Sequence, residues 1–209
     1  MLARSLEQAA HSDAASGAND RRRPKDVVGP NAIIQTEAAL VAAWGREATD
    51  RLMAAAGLAH YRNAPPTALV PEAEPARLFA AIRAARPAAE ADAVLREAGR
   101  LTANYILAHR IPQPAQRLLR ALPLAIAVRA LLAAIRAHAW TFAGSGHVTI
   151  GIGFTAKLAI DRNPLATPGC PWHVGVLETL FRNTVAPATR VTHCRLRDTH
   201  IFAIQPKGR

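Results

Sequence analysis

Cysteine is nearly absent from this chain: Cys170 and Cys194 are the only two among 209 residues. That excludes a disulfide framework and a four-thiolate iron–sulfur cluster within one chain. No secretion signal is expected, since residues 1–20 are polar and rich in Ala and Ser without an apolar central block. Sparse thiols without such a signal imply the reducing cytoplasm, where they bind metals or pack. A long apolar run free of charge is missing too. The most apolar stretch, 118–140, is interrupted by Arg120, Arg129, Arg136 and His138, which argues against a membrane span. No helix-turn-helix, zinc-finger or RNA-binding sheet signature occurs. The glycine-rich strand-to-helix turn of a nicotinamide site is absent as well, because Gly144 and Gly146 precede an expected strand while Gly151 and Gly153 lie within it. Acidic residues are scarce: 15 stand against 26 Lys and Arg, for a formal charge of +11. The arginines are spread over helices, with one dense group at Arg21, Arg22, Arg23 and Lys25. That spread disfavours nucleic acid and leaves a solvated basic surface, a carboxylate-bearing small molecule, or weak contact with an anionic membrane surface.

What is present suits one globular domain, since half of the residues are apolar. Residues 1–28 read as a disordered basic arm. The fold is expected over 29–209, with a helical part at 29–140 and a sheet-rich part at 141–205. Apolar residues at steps of three and four (Ile33, Ile34, Leu40, Val41, Trp44, Leu52, Met53) predict a first helix ending at Gly57. A second carries Leu78, Phe79 and Ile82 up to Pro87, and a third carries Val94, Leu95, Leu101 and Tyr105 up to Pro112. A fourth, 115–140, is apolar around much of its girth, is broken or kinked at Pro123, and is expected at the centre of the domain. Val148, Ile150 and Ile152 then alternate with polar residues and glycine, the period of a strand, with 157–160 as its hairpin partner. A helix over 174–185 and strands at 189–196 and 200–204 follow. The expected class is α+β: an N-terminal helical layer packed on a small antiparallel C-terminal sheet.

Cys170, Cys194 and His200 combine soft and imidazole donors in the last third, which reads either as a metal site or as packed thiols beside a polar histidine. Trp140, Phe142 and Trp172 could stack on a flat ligand or serve as core. Neutral His138 or His173 could ligate a metal or move a proton. Arg110, Arg117 and Arg120 could pair with carboxylates or form the wet side of their helices.

The segment ILAHRIPQPAQRLLRALP at 106–123, followed by AIRAHAWTFAGSG at 134–146, resembles the bacteriochlorophyll 4-vinyl reductase family, as does the opening GPNAIIQ at 29–35. The tail, with NPL at 163–165, CPWHVGVLETLF at 170–181 and Cys194, is similar to the wider vinyl 4 reductase (V4R) small-molecule-binding domain. The resemblance implies a V4R fold related to Bet3-like tethering subunits, with helices over an antiparallel sheet, an apolar cavity and pairing into a homodimer. Its implied ligand is a magnesium tetrapyrrole intermediate of bacteriochlorophyll synthesis, a divinyl (proto)chlorophyllide-type pigment. The pigment would be carried and presented to the other enzymes of the pathway, in the cytoplasm or at the periphery of the photosynthetic membrane. The family label implies vinyl reduction instead, with a reductant or partner that no nicotinamide, flavin or iron–sulfur motif announces. Sensor and scaffold roles occur elsewhere in the V4R group. Its zinc pattern implies Cys170, Cys194 and His200 as ligands, with Val191 in place of an acid; His193, as a strand neighbour of Cys194, is expected on the opposite face.

Overall fold

The computed structural model describes residues 26–153 and 155–207. Its order is β1 (Val27–Val28), α1 (Asn31–Trp44), α2 (Arg46–Ala55), β2 (Val70–Pro71), α3 (Ala73–Ala85), α4 (Ala88–His109), α5 (Gln113–Ala121) and α6 (Leu124–Ala137). The short α7 (Trp140–Ala143) follows, then β3 (His147–Ile152), β4 (Ala156–Asp161), α8 (Pro171–Thr184), β5 (Arg190–Leu196) and β6 (Thr199–Gln205). The α+β class holds: helices come first and pack on a four-stranded antiparallel sheet ordered β3-β4-β6-β5.

Three sequence expectations change. The first helix is two, because Gly45 takes φ +81°, a left-handed value that glycine adopts without a Cβ penalty. The stretch at 115–140 breaks at Pro123 as expected, into two helices each entered through a proline, Pro112 and Pro123, whose fixed φ and missing N–H suit a helix start, but its expected central place does not hold. Neither is central. α5 has no buried residue, and α6 buries one face only (Ala127, Val128, Leu131, Leu132, Ile135). The stretch looked apolar all round because alanine counts as apolar yet is exposed at little cost. The third change is at the start of the fold. Residues 1–25 of the expected arm lie outside the described residues, but Val27 and Val28 pair with Pro71 and Val70, so the folded part begins before Gly29.

The centre is α8, buried nearly all round between α4 and the sheet. It lies against α4 so closely that a Cβ on Gly99 would overlap the Trp172 carbonyl oxygen, and one on Gly175 the Arg96 carbonyl oxygen. Glycine at both points lets the two backbones touch. Glu178, buried on α8, pairs with Arg96 of α4 and at 2.6 Å with Arg182 of its own helix.

The sheet turns alternate residues toward α8. Register pairs Ile160 with His200, Leu158 with Phe202 and Ala156 with Ile204, and these six are buried. On edge strand β3 the same inward face carries Val148, Ile150 and Ile152, opposite Ile160, Leu158 and Ala156. There the cover thins: Val148 and Ile150 are half-buried and Ile152 is 45% exposed.

Candidate metal centre and apolar strip

Cys170 is the N-cap of α8 and adopts a left-handed conformation, φ +43° and ψ 49°, directly after Gly169 at φ +74°. A non-glycine residue there costs about 1–2 kcal/mol, so its side chain is held by its surroundings. Its sulfur lies 3.2 Å from His200 Nδ1, and His193 Nε2 lies 3.0 Å from that same nitrogen. All three donor atoms fall within 4.8 Å of one another. Bond lengths of about 2.0–2.3 Å to a tetrahedral zinc place neighbouring donors roughly 3.3–3.5 Å apart, so this triad could hold a metal ion with one position left over. A single Nδ1 facing both a thiol and an imidazole satisfies one of them at most, and a cation would satisfy all three. Burial pushes the Cys170 thiol up to about 11, partly offset by the Thr167 backbone contact and by Arg195. His193 and His200 are both lowered, chiefly by burial, His193 also by His200 and His200 also by Arg195. Metal binding would have to displace the thiol proton, as zinc does for cysteine ligands.

Cys194 is not in this group. It pairs with Ile201 on the solvent side of the sheet and is exposed, while His193 turns inward with Val191. The two neighbours do take opposite faces of β5, but it is His193 that points inward and Cys194 that points out. Val191, the buried apolar residue two positions earlier, was the signal that favoured His193.

His173 lies one turn into α8 and is 2% exposed. Its Nε2 sits 3.3 Å from the Phe142 carbonyl oxygen and 3.5 Å from Asn163 Nδ2. Its Nδ1 is buried with no hydrogen-bond partner among the described residues, as is Trp172 Nε1. Burial holds the imidazole down at about 3 against the weaker upward pull of the Phe142 bond, with His200 and His193 lowering it further. Trp172 packs at 5.9 Å on Phe79 and at 4.9 Å edge-on to His173, which in turn faces Phe202 at 5.5 Å. Trp172 and His173 are therefore core, and their aromatic contacts fill the layer where an enclosed flat cavity was expected.

The other expected ligand residues divide into two places. His138, exposed at the end of α6, holds its Nδ1 3.0 Å from the Ala134 carbonyl oxygen. Donation from Nδ1 fixes the tautomer that leaves Nε2 as an outward lone pair. Trp140 and Phe142 are half-buried in α7, and the chain passes directly from them into the partly uncovered β3. Residues 138–152 thus carry two imidazoles, His138 and His147, with two aromatic rings and an apolar strip. Arg110 and Arg117 stand elsewhere. Arg117 lines an open groove of about 510 Å³ with Asn104, Gln113, Gln116, Arg120 and Asn183, at the C-terminal end of α8. A helix of α8's length puts that groove roughly 20 Å from Cys170.

Sequence reasoning missed Glu72 as well. Its carboxylate accepts the Ser145 N–H and the Ser145 hydroxyl, both at 2.7 Å, and so pins the Gly144–Gly146 turn into β3. A side chain at Gly153 would meet nothing among the described residues, and one at Gly151 only the Lys157 Cβ at 4.0 Å.

No family model matches the chain. It is 44% identical over 192 residues to the bacteriochlorophyll synthase 23 kDa chain of Cereibacter sphaeroides, spanning 87% of this chain and 92% of that one. It is 36% identical over 191 residues to the protein of the same name in Rhodobacter capsulatus, covering 87% and 88%. Among solved structures, the Fe(II) unliganded form of an H-NOX protein variant from K. algicida superimposes with a TM-score of 0.61 at 12% identity, covering 86% of this chain and 97% of that one. An H-NOX protein from S. oneidensis in the Fe(II)NO state gives 0.50 at 13% identity, covering 87% and 100%. The fold is therefore H-NOX-like.

Proposed function

Because this chain belongs to the bacteriochlorophyll synthase 23 kDa chain family, we infer that it serves bacteriochlorophyll biosynthesis by binding a divinyl (proto)chlorophyllide-type intermediate and presenting it for vinyl reduction or the next step. The observation that carries this reading is the 44% identity maintained over 92% of a relative whose name places it in a bacteriochlorophyll synthase. That name, a chain of a synthase, also supports other synthase subunits as partners. The resemblance of 106–123 and 134–146 to the bacteriochlorophyll 4-vinyl reductase family supports the same pigment class, and the H-NOX neighbours of this fold are Fe(II) proteins.

Presenting a pigment requires an apolar face for the macrocycle and an axial donor for magnesium. In this reading the face is the inward strip of β3, headed by Trp140 and Phe142, and the donor is His138 Nε2. His173 is excluded as the donor by its burial and its backbone bond. Cys170, His193 and His200 would hold a zinc ion, which supplies a cross-link between the start of α8 and the last hairpin.

Titration of the purified protein with divinyl protochlorophyllide, followed in the Soret band, tests the reading. Saturable one-to-one binding is expected. His138→Ala should weaken it about tenfold or more, since second-shell and ligand losses typically cost 10–100-fold, and Ile152→Glu should do the same while leaving the fold intact. Absence of a saturable spectral change would overturn the reading. Conversion of the vinyl group by the isolated protein plus a reductant would replace presentation with catalysis.

A further inference from the structure

Charge is segregated along this chain. Residues 26–97 hold seven arginines and nine acids, whereas residues 98–160 hold six arginines and Lys157 with no Asp or Glu at all. The acid-free segment contains α5 and α6, the helices least covered by the rest of the molecule. On α6 the buried face is Ala127, Val128, Leu131, Leu132 and Ile135. The opposite face, at steps of four, three and four, is Ile126, Ala130, Ala133 and Ala137, all exposed, with Ile126 49% accessible. Arg129 and Arg136, seven residues apart, flank that stripe on one side. Their side chains form no hydrogen bond or ion pair among the described residues, nor does that of Arg117 on α5.

We propose that the outward face of α6 is a docking surface for an anionic lipid bilayer. A protein partner would normally offer acids to specific arginines and a pocket for an apolar anchor. This face has neither a pocket nor a large anchor; it has a shallow apolar ridge beside free guanidinium groups and a surrounding segment without a single repelling acid. Such a face lies flat at a membrane interface, with the ridge at the acyl boundary and the arginines among the headgroups. No helix among the described residues is long and apolar enough to cross a membrane, so the contact is peripheral. The inference is independent of the pigment reading, since the ridge stands on the exposed side of α6 and needs no ligand.

Co-sedimentation of the full chain with vesicles of phosphatidylcholine alone, and of phosphatidylcholine with 30% phosphatidylglycerol, tests it. Binding is expected only to the anionic vesicles and should fall with added salt. Arg129→Glu with Arg136→Glu should weaken partitioning about thirtyfold or more, given a contribution of about fivefold per cation near the surface; Ile126→Asp should weaken it further. Arg51→Glu with Arg62→Glu makes the same change in net charge on α2 and the turn that follows it, and should leave partitioning within about threefold of wild type. Circular dichroism confirms that each variant is folded. Equal loss in both pairs would show net charge alone at work and overturn the assignment to α6. So would absence of binding to anionic vesicles, or equal binding to phosphatidylcholine alone.

Discussion

A histidine with one nitrogen bonded to a carbonyl and the other buried without a partner is stable only as neutral imidazole, and among the described residues His173 is in that position. The unfolded chain takes up a proton near 6.5, the folded protein only near 3. Between those values the unfolded state binds more protons, so stability rises with pH and is lost on acidification below 6.5. Urea denaturation from pH 7 to pH 4 should show a loss of up to about 1.4 kcal/mol per pH unit from this group, steepened by His193 and His200. His173→Leu should flatten that slope, and a variant with an unchanged slope would show that another group carries it. Metal analysis makes the second test at this scale. Wild type and Cys194→Ser should retain close to one zinc per chain, and Cys170→Ser should lose it. Equal loss from both cysteine variants would return Cys194 to the site. The site was half legible in the sequence. Cys170 and His200 are distinctive residue types, but choosing between His193 and Cys194 requires strand phase, which a short and mostly polar strand such as β5 states weakly.

Among the elements, the contact of α4 with α8 has the least tolerance. Gly99→Ala or Gly175→Ala forces a Cβ into carbonyl oxygen on the facing helix, where no flexible side chain can yield. Each should destabilise by about 3 kcal/mol or more, the upper range for overpacking, while Gly153→Ala, facing open space, should be near neutral in the same denaturation assay. Glu178→Gln removes the shared partner of Arg96 and Arg182. Because both arginines are half-exposed and can be solvated, the expected cost is about 1–2 kcal/mol, below that of a fully buried pair. Helices and strands were legible wherever apolar spacing was regular, as in α3, α4 and the β3–β4 hairpin. The break at Gly45 and the rank of the helices were not. Two short amphipathic helices in sequence keep one continuous period, and an alanine-rich surface helix has the composition of a buried one.

Across the whole molecule, the three candidate regions fall on different elements, with α6 packed beside β3. The Cys170 cluster ties the start of α8 to the last hairpin, residues 138–152 offer the uncovered apolar strip, and α6 turns its basic ridge outward. This arrangement would let a pigment enter at the sheet edge while the far side of the neighbouring helix rests on a membrane. The pigment assignment was legible in the sequence only through motif resemblance, because composition and periodicity yield the α+β class and nothing about the ligand. Where the ligand sits was not legible, since residue type alone left Trp140, Phe142 and Trp172, and His138 and His173, open as ligand contacts or structural residues, and of these Trp172 and His173 are core. The most direct measurement is purification of the protein from a pigment-producing bacterial host, followed by extraction and mass analysis of whatever is bound. The account predicts close to one magnesium tetrapyrrole bearing two vinyl groups per chain, reduced at least about tenfold in His138→Ala. A wild-type protein that emerges folded, zinc-loaded and free of tetrapyrrole would contradict it.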